Sequence, residues 1–340
     1  MRYTIVGSGA IGGTLGAYMT RAGEDVTFVD QDRAHVQAMN ERGLTIRGYA
    51  ETFTVPAHAF TPDAVPGPLE AVLLAVKAQH TEAALRGVLD RLAPDAFVVS
   101  LQNGLCEDVI REIVGAERTV GAFVNFSADY LEPGLIHYGS VGALYLGELD
   151  GRSTKRLATL ERALGHWGPV HPTDNIWGYL WGKMGYANML FATATVDATM
   201  PDVIDRYRAL AAELAAEIYD VAEREGVRVE GFDAVEPRVY HPRGQDPARV
   251  NASLDRMVAW QRTSEKQKSG IWRDLAVRHR PTEVDVQIGR CAAIGARHGL
   301  TMPLTNRLVA MIHDLEEGRR AMSWENVEEL DRLRLAGVAR

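Results

Sequence analysis

The chain has 340 residues, 46% hydrophobic and 24% charged, a balance that suits about two soluble globular domains. Its 37 basic and 45 acidic residues give a net charge of −8 with no basic block, which argues against nucleic acid and anionic membrane as partners. No apolar run approaches the ~18 residues of a membrane span, and no signal-peptide pattern precedes the first strand. Cys106 and Cys291 stand apart, without metal-ligand spacing, and read as packing thiols in a reducing compartment. The expectation is a cytoplasmic protein that holds no metal.

Arg2–Val6 reads as a strand, followed by GSGAIGG and a helix over Ile11–Ala22 that Gly23 ends. Gly7 permits the sharp exit from the strand, Gly9 lets the backbone approach a pyrophosphate, and Gly12 lets the helix lie close to the sheet. With Ser8, Ala10 and Ile11 they form a turn whose free N–H groups and positive helix end would face phosphates. Asp25–Val29 is the second strand, and Asp30 ends it at the distance where a carboxylate takes ribose hydroxyls. A helix over Asp32–Arg42 and further strand in Leu44–Val55 follow. Ala71–Val76 is a continuous apolar run, as a parallel strand covered on both faces requires. Lys77 ends it. A helix over Thr81–Leu92 leads to the strand Phe97–Leu101, after which Asn103 sits in LQNG. Both Lys77 and Asn103 therefore belong on the cofactor rim of a doubly wound sheet, with solvated loop positions as the plainer reading.

After Arg118 the pattern changes to TVGAFVNFSADY, GLIHYGS and ALYLGEL, joined at Pro133-Gly134 and Ser140–Gly142, which reads as antiparallel strands extending the sheet. A helix near Ser153–Trp167 and a short strand around Val170 complete a Rossmann-type domain over 1–173. From Asp174 strand signals cease. The pattern predicts helices over Ile176–Met200 and from Pro201 to Glu225, then an irregular excursion over 226–270 with a helix at Ala252–Trp260. Helices at Glu283–His298, Thr305–Glu317 and Trp324–Arg334 follow. The fold class is α/β, a Rossmann-type doubly wound sheet joined to an all-α domain over 174–340. The substrate cleft is expected between the two domains.

Reducing a ketone also needs a proton donor. Lys183 lies beside the stripe Trp177, Leu180, Trp181 and Met184, flanked by Tyr179 and Tyr186. Partial desolvation there would lower its pKa from ~10.4 toward neutrality. The alternative is a lysine snorkelling beside a core stripe. Glu283 follows Thr282 in RPTEVD, where Thr282 and Asp285 resemble a capping box. It is either an acid placed for the helix dipole or a partner for a substrate hydroxyl or for Lys183.

Together, GSGAIGG, VKAQ, SLQNGL, LWGK and SGIWRDLAVRHRPTEVD resemble the ketopantoate reductase family, in the family's order and across roughly 3–310. The resemblance implies a nicotinamide-dependent reductase acting on C2 of a small 2-keto or 2-hydroxy acid. It implies that Lys183 is the general acid for the keto oxygen and that Glu283 contacts the hydroxyl end of the substrate. It places Asn103 at the cofactor–substrate junction, and Ser269 near a serine that holds the substrate carboxylate. Where the family has asparagines four and eight residues after its lysine, this chain has Ala187 and Phe191. Asn188, five residues on, lies about 140° round a regular helix, toward the apolar stripe unless a bulge shifts the register. It is the remaining amide candidate for the substrate. Loss of two amides disfavours a polar hydroxy-keto acid, so a different and bulkier 2-keto acid is expected.

Asp30 favours NAD over NADP, because a carboxylate repels a 2′-phosphate, although Arg33 could turn toward one. The excursion holds His241, Arg243, Trp260, Lys266 and Lys268; it reads either as a solvated loop or as a segment whose basic residues bind a substrate carboxylate. Competing readings are a 6-phosphogluconate or β-hydroxy-acid dehydrogenase type and a catalytically silent dinucleotide sensor. Apolar faces such as LVAMI at 308–312 could serve a homodimer or simply form core.

Overall fold

The computed structural model describes residues 1–244, 246–264 and 266–338. Contacts divide the chain into two compact units, Met1–Ile176 and Trp177–Arg340.

The first unit is a mixed ten-stranded sheet with helices. Its elements are β1 (Arg2–Val6), α1 (Ala10–Arg21), β2 (Asp25–Val29), α2 (Arg33–Arg42), β3 (Leu44–Gly48), β4 (Thr52–Val55), β5 (His58–Phe60) and β6 (Leu69–Leu74). These are followed by α3 (Thr81–Arg86), β7 (Leu92–Ser100), α4 (Glu107–Val114), β8 (Thr119–Glu132), β9 (Leu135–Glu148), α5 (Lys155–Leu164) and β10 (Val170–Pro172). The strand order is β4-β3-β9-β8-β7-β6-β1-β2-β5, with β10 against β9. Strands β5, β2, β1, β6, β7 and β8 pair in parallel, so β1 and β6 are buried on both faces, as their apolar runs require. Only β3–β4 and β8–β9 are antiparallel.

The further strand expected in Leu44–Val55 is present as the hairpin β3–β4, and β5 adds an edge strand with no strong pattern of its own. Two sequence expectations change here. The helix expected over Thr81–Leu92 ends at Arg86, where Gly87 follows. Residues 140–142 do not form a turn. They lie inside the 14-residue β9, where the ladder shifts register opposite Asn125–Ala128 and Gly142 leaves no room for a side chain against the Asn125 carbonyl. The turn at Pro133-Gly134 is as expected.

The second unit is helical: α6 (Ile176–Thr193), α7 (Met200–Arg206), α8 (Arg208–Arg224), α9 (Pro247–Thr263), α10 (Gly270–Ala276), α11 (Arg290–Arg297), α12 (Pro303–Glu316) and α13 (Trp324–Val338). Helix α6 stops at Thr193, well short of Met200, and Tyr207 separates α7 from α8. Part of the excursion is ordered into α9, which starts with Pro247 in its first turn and with Asp246 as a cap accepting from the Ala248 N–H (2.9 Å). That Asp-Pro signal was in the sequence and points to a start five residues earlier than the expected one. The helix expected from Glu283 instead opens with a π-helical turn, Asp285–Gly289. Leu308, Met311 and Ile312 of the LVAMI run are buried in the monomer, so these side chains belong to the core. Among the described residues, no helix is long and apolar enough to cross a membrane.

Candidate active site

In the first unit the glycine turn has the expected form. Gly7 has φ +93°, and a Cβ there would lie 2.6 Å from the Val76 nitrogen; a Cβ on Gly12 would collide with the Gly7 carbonyl. Gly9, the N-cap of α1, has no atom within 4 Å of where its Cβ would be, and no side chain caps the helix. Open space before uncapped N–H groups is what a pyrophosphate requires, so these residues fit a dinucleotide. Asp30 accepts from the Ser8 N–H (2.9 Å) and the Asp32 N–H (3.0 Å), which holds its carboxylate beside the turn.

His35 was not singled out from the sequence, yet it braces this turn. It is fully buried, and its Nδ1 accepts from the Gly134 N–H (2.9 Å). Nε2 therefore carries the proton and donates to the Ser8 carbonyl (2.9 Å). Tyr130 stands edge-on to the imidazole at 5.0 Å and donates to Asp32 Oδ2 (3.1 Å).

Lys77 and Asn103 follow β6 and β7, at the carboxyl ends of parallel strands; Lys77 is half-buried and Asn103 exposed. Gln102, also missed, links their two loops: its Nε2 donates to the Val76 carbonyl (2.9 Å) and to Thr81 Oγ1 (2.8 Å).

In the second unit Lys183 lies on α6 between two glycines whose cost in a helix is about 1 kcal/mol each. Both are needed. A side chain on Gly182 would strike the Glu230 carbonyl, and one on Gly185 would strike the Tyr219 ring. Glu230 donates its N–H to the Gly178 carbonyl (3.0 Å), and Tyr219 donates to the Gly182 carbonyl (3.0 Å). The segment after α8 is thereby laid directly against the lysine's turn of helix. It carries Asp233 in a tight reversal closed by reciprocal Phe232–Val235 backbone bonds (3.1 and 2.8 Å), with Asp233 itself at φ +46°. The Phe232 ring packs edge-on against Tyr186 (6.1 Å), whose hydroxyl accepts from Gln261 Nε2 (2.9 Å).

Burial pulls the Lys183 ammonium down to about 8, while the charges of Glu283 and Asp233 oppose that fall. The residue as a whole is half-buried. Lys183 and Glu283 are thus brought within electrostatic reach, as the sequence suggested, and Asp233 joins them from a loop that no local pattern marks.

Two other candidates are otherwise engaged. Asn188 is fully buried, and its amide donates to the Leu214 carbonyl (2.8 Å) and Thr305 Oγ1 (2.8 Å); Thr305 in turn donates to Glu217 (2.7 Å). The regular helix keeps Asn188 in the core, with no bulge to turn it outward. Ser269 is the N-cap of α10, its Oγ accepting from the Trp272 N–H (3.1 Å). The expected capping box at Thr282 is also different. Thr282 Oγ accepts from the Val284 N–H (3.2 Å), whereas Asp285 meets His313. Of the basic residues in the excursion, His241 and Arg243 meet Asp220, and Lys268 pairs with Asp197 while lying over the Trp272 ring. They are neither a bare solvated loop nor a cluster of waiting cations.

A glycine-turn sheet unit followed by a helical unit with a half-buried, acid-flanked lysine defines a dehydrogenase-like class. The family model described as ketopantoate reductase PanE/ApbA matches residues 3–151, and its C-terminal counterpart matches residues 175–316. The chain belongs to the ketopantoate reductase family, oxidoreductases that act on CH–OH groups. It is 31% identical to the 2-dehydropantoate 2-reductase of Pyrococcus horikoshii over 54% of this chain and 60% of that protein. It is 25% identical to the enzyme of that name from Mesorhizobium japonicum over 95% of this chain and all of that protein. In fold it is similar to a D-mandelate dehydrogenase solved with NADH and anilino(oxo)acetate, with a TM-score of 0.79 and 22% identity over 94% of this chain and 99% of that one.

Proposed function

We propose that this protein interconverts a small 2-keto acid and its 2-hydroxy acid, with Lys183 as the proton carrier. A nicotinamide dinucleotide, when bound, supplies or accepts the hydride at C2. Gly7, Gly9 and Gly12 with the start of α1 would hold its pyrophosphate, and Asp30 its ribose. The ammonium of Lys183 would donate to the keto oxygen as charge develops there, and its amine would take the proton back in the oxidative direction. Glu283 would hold the far end of the substrate and keep Lys183 charged. Lys77 and Asn103 would serve the cofactor rim, and Ser269, whose hydroxyl only accepts in capping α10, would offer its proton to the substrate carboxylate.

The observation that carries this reading is a helix-borne lysine against which Gly182 and Gly185 admit the Asp233 segment, with burial pulling its ammonium to about 8 within the influence of Glu283 and Asp233. A general acid works best near the operating pH, and a solvated lysine at ~10.4 would be too weak. Below about 8 the ammonium predominates and reduction proceeds; above it the donor is lost.

Ala187 and Phe191 in place of family amides favour a bulkier, less polar acid than ketopantoate, for which the aromatic ligand of the D-mandelate dehydrogenase is a fold-level precedent. Asp30 favours NADH.

The test is turnover of a panel of aliphatic and aromatic 2-keto acids by wild type and Lys183→Ala. Loss of the donor should lower kcat by about 10²–10⁴ with cofactor affinity retained. Wild-type kcat/KM for reduction should fall with an apparent pKa near 8. Undiminished turnover in Lys183→Ala, or a profile flat through pH 9.5, overturns the assignment. Ketopantoate outperforming every other acid overturns the substrate class.

A further inference from the structure

Glu283 sits in a turn that is gripped on both sides. On one side, Thr282 donates both its N–H and its hydroxyl to Glu316 Oε1, each at 2.7 Å. Glu316 Oε2 then meets His313 Nδ1 at 3.0 Å, one turn away on the same face of α12. On the other side, His313 Nε2 meets Asp285 Oδ1 at 2.9 Å. The four side chains thus form a chain, Thr282–Glu316–His313–Asp285, that leaves the backbone just before Glu283 and returns just after it.

The chemistry of this chain is directional. Carboxylate oxygens face both ring nitrogens of His313, an arrangement that favours an imidazole donating from both. Burial opposes the positive charge of that form, but the hydrogen bonds to Glu316 and Asp285 outweigh it and raise the pKa of His313. Asp285 opens the π-helical turn Asp285–Gly289, a local geometry that regular helix bonds do not enforce. The Asp285–His313 contact ties that turn to α12.

We infer that His313 is a positioning residue for the 2-keto-acid reaction, acting through Glu316, Thr282 and Asp285 to fix the turn that presents Glu283. This rests on the proposed role of Glu283 in holding the substrate. Nothing in the clasp needs to touch the substrate; it sets where the Glu283 carboxyl stands.

The experiment is a double-mutant cycle on the full-length protein with saturating NADH, reading KM for its best 2-keto acid. Glu283→Gln should raise KM. His313→Ala should raise KM about tenfold with kcat changed far less, since a misplaced binding group costs uniform binding. In the Glu283→Gln background the His313→Ala penalty should vanish, because the clasp then has no carboxylate to place. Thr282→Val, which keeps the volume and loses one link, should repeat the KM rise with a smaller effect on folding. Penalties that multiply in the double variant overturn the positioning role alone. An unchanged KM in Glu283→Gln overturns the substrate role of Glu283 and this inference with it. A pure stability effect would instead alter the active fraction, lowering kcat at constant KM.

Discussion

Replacing Glu107 by glutamine should raise stability relative to wild type progressively as pH rises. Glu107 is the first residue of α4, fully buried, and neither carboxyl oxygen meets a partner at hydrogen-bonding geometry. Burial raises its pKa from 4.5 to about 8; Ser100 and the backbone of Glu107 and Ala122 lie close enough only to offset part of that. The helix N-terminus favours a negative charge by ~0.3–1 kcal/mol, too little to compete with desolvation. Between pH 4.5 and about 8 the folded state holds a proton that the unfolded chain releases, so stability falls as pH rises across that window. At 1.36 kcal/mol per pH unit the full penalty is about 5 kcal/mol, with roughly 3 kcal/mol already present at pH 7. Glutamine keeps the shape of the neutral acid and cannot ionise. Its buried amide N–H groups cost about 1–3 kcal/mol, but equally at every pH. Urea unfolding of wild type and Glu107→Gln at pH 5 and pH 8.5 separates the two effects. The stability gap should widen in favour of the variant by about 4 kcal/mol between those values. A gap that changes by less than about 1 kcal/mol would show that the carboxyl ionises freely in the fold, and would refute the reasoning.

Two further outcomes follow from the geometry. Asp30→Arg loses two accepted hydrogen bonds beside the glycine turn and presents a cation to a 2′-phosphate, so kcat/KM should shift from NADH toward NADPH by about tenfold or more. Wild type already preferring NADPH would defeat this. Gly182→Ala gains about 1 kcal/mol of helix propensity but drives a methyl into the Glu230 carbonyl, a backbone atom that cannot rotate away. The clash should win, lowering the midpoint of thermal unfolding and moving the Asp233 turn away from Lys183. A raised midpoint would mean that the close approach of that segment to α6 is not required.

The parts of the site that were legible in the sequence are those whose chemistry is local. The positive φ of Gly7, the exclusion of a side chain at Gly12 and the carboxylate ending β2 all follow from a strand–turn–helix–strand spacing within one stretch of chain. The stripe on α6 likewise located Lys183, because helical periodicity alone puts it at the margin of an apolar face. The irregular segment was misjudged where polar composition masked a capped helix, as at Asp246-Pro247. The capping box at Thr282 was a real hydroxyl-to-backbone contact attached to the wrong partner, since a carboxylate three residues on can be claimed by a distant histidine.

What the amino-acid order determined by itself was therefore the glycine turn, the parallel apolar strands and the helix that bears the lysine, because short-range sterics and hydrophobic period dictate them. What only the tertiary structure decided was the company that lysine keeps. Asp233 arrives through a loop admitted by Gly182, Glu283 through a turn clasped by His313, and Asn188 is withdrawn into contact with Thr305. Those meetings depend on which elements pack together across long loops, and pairings of that kind leave no periodic trace along the chain.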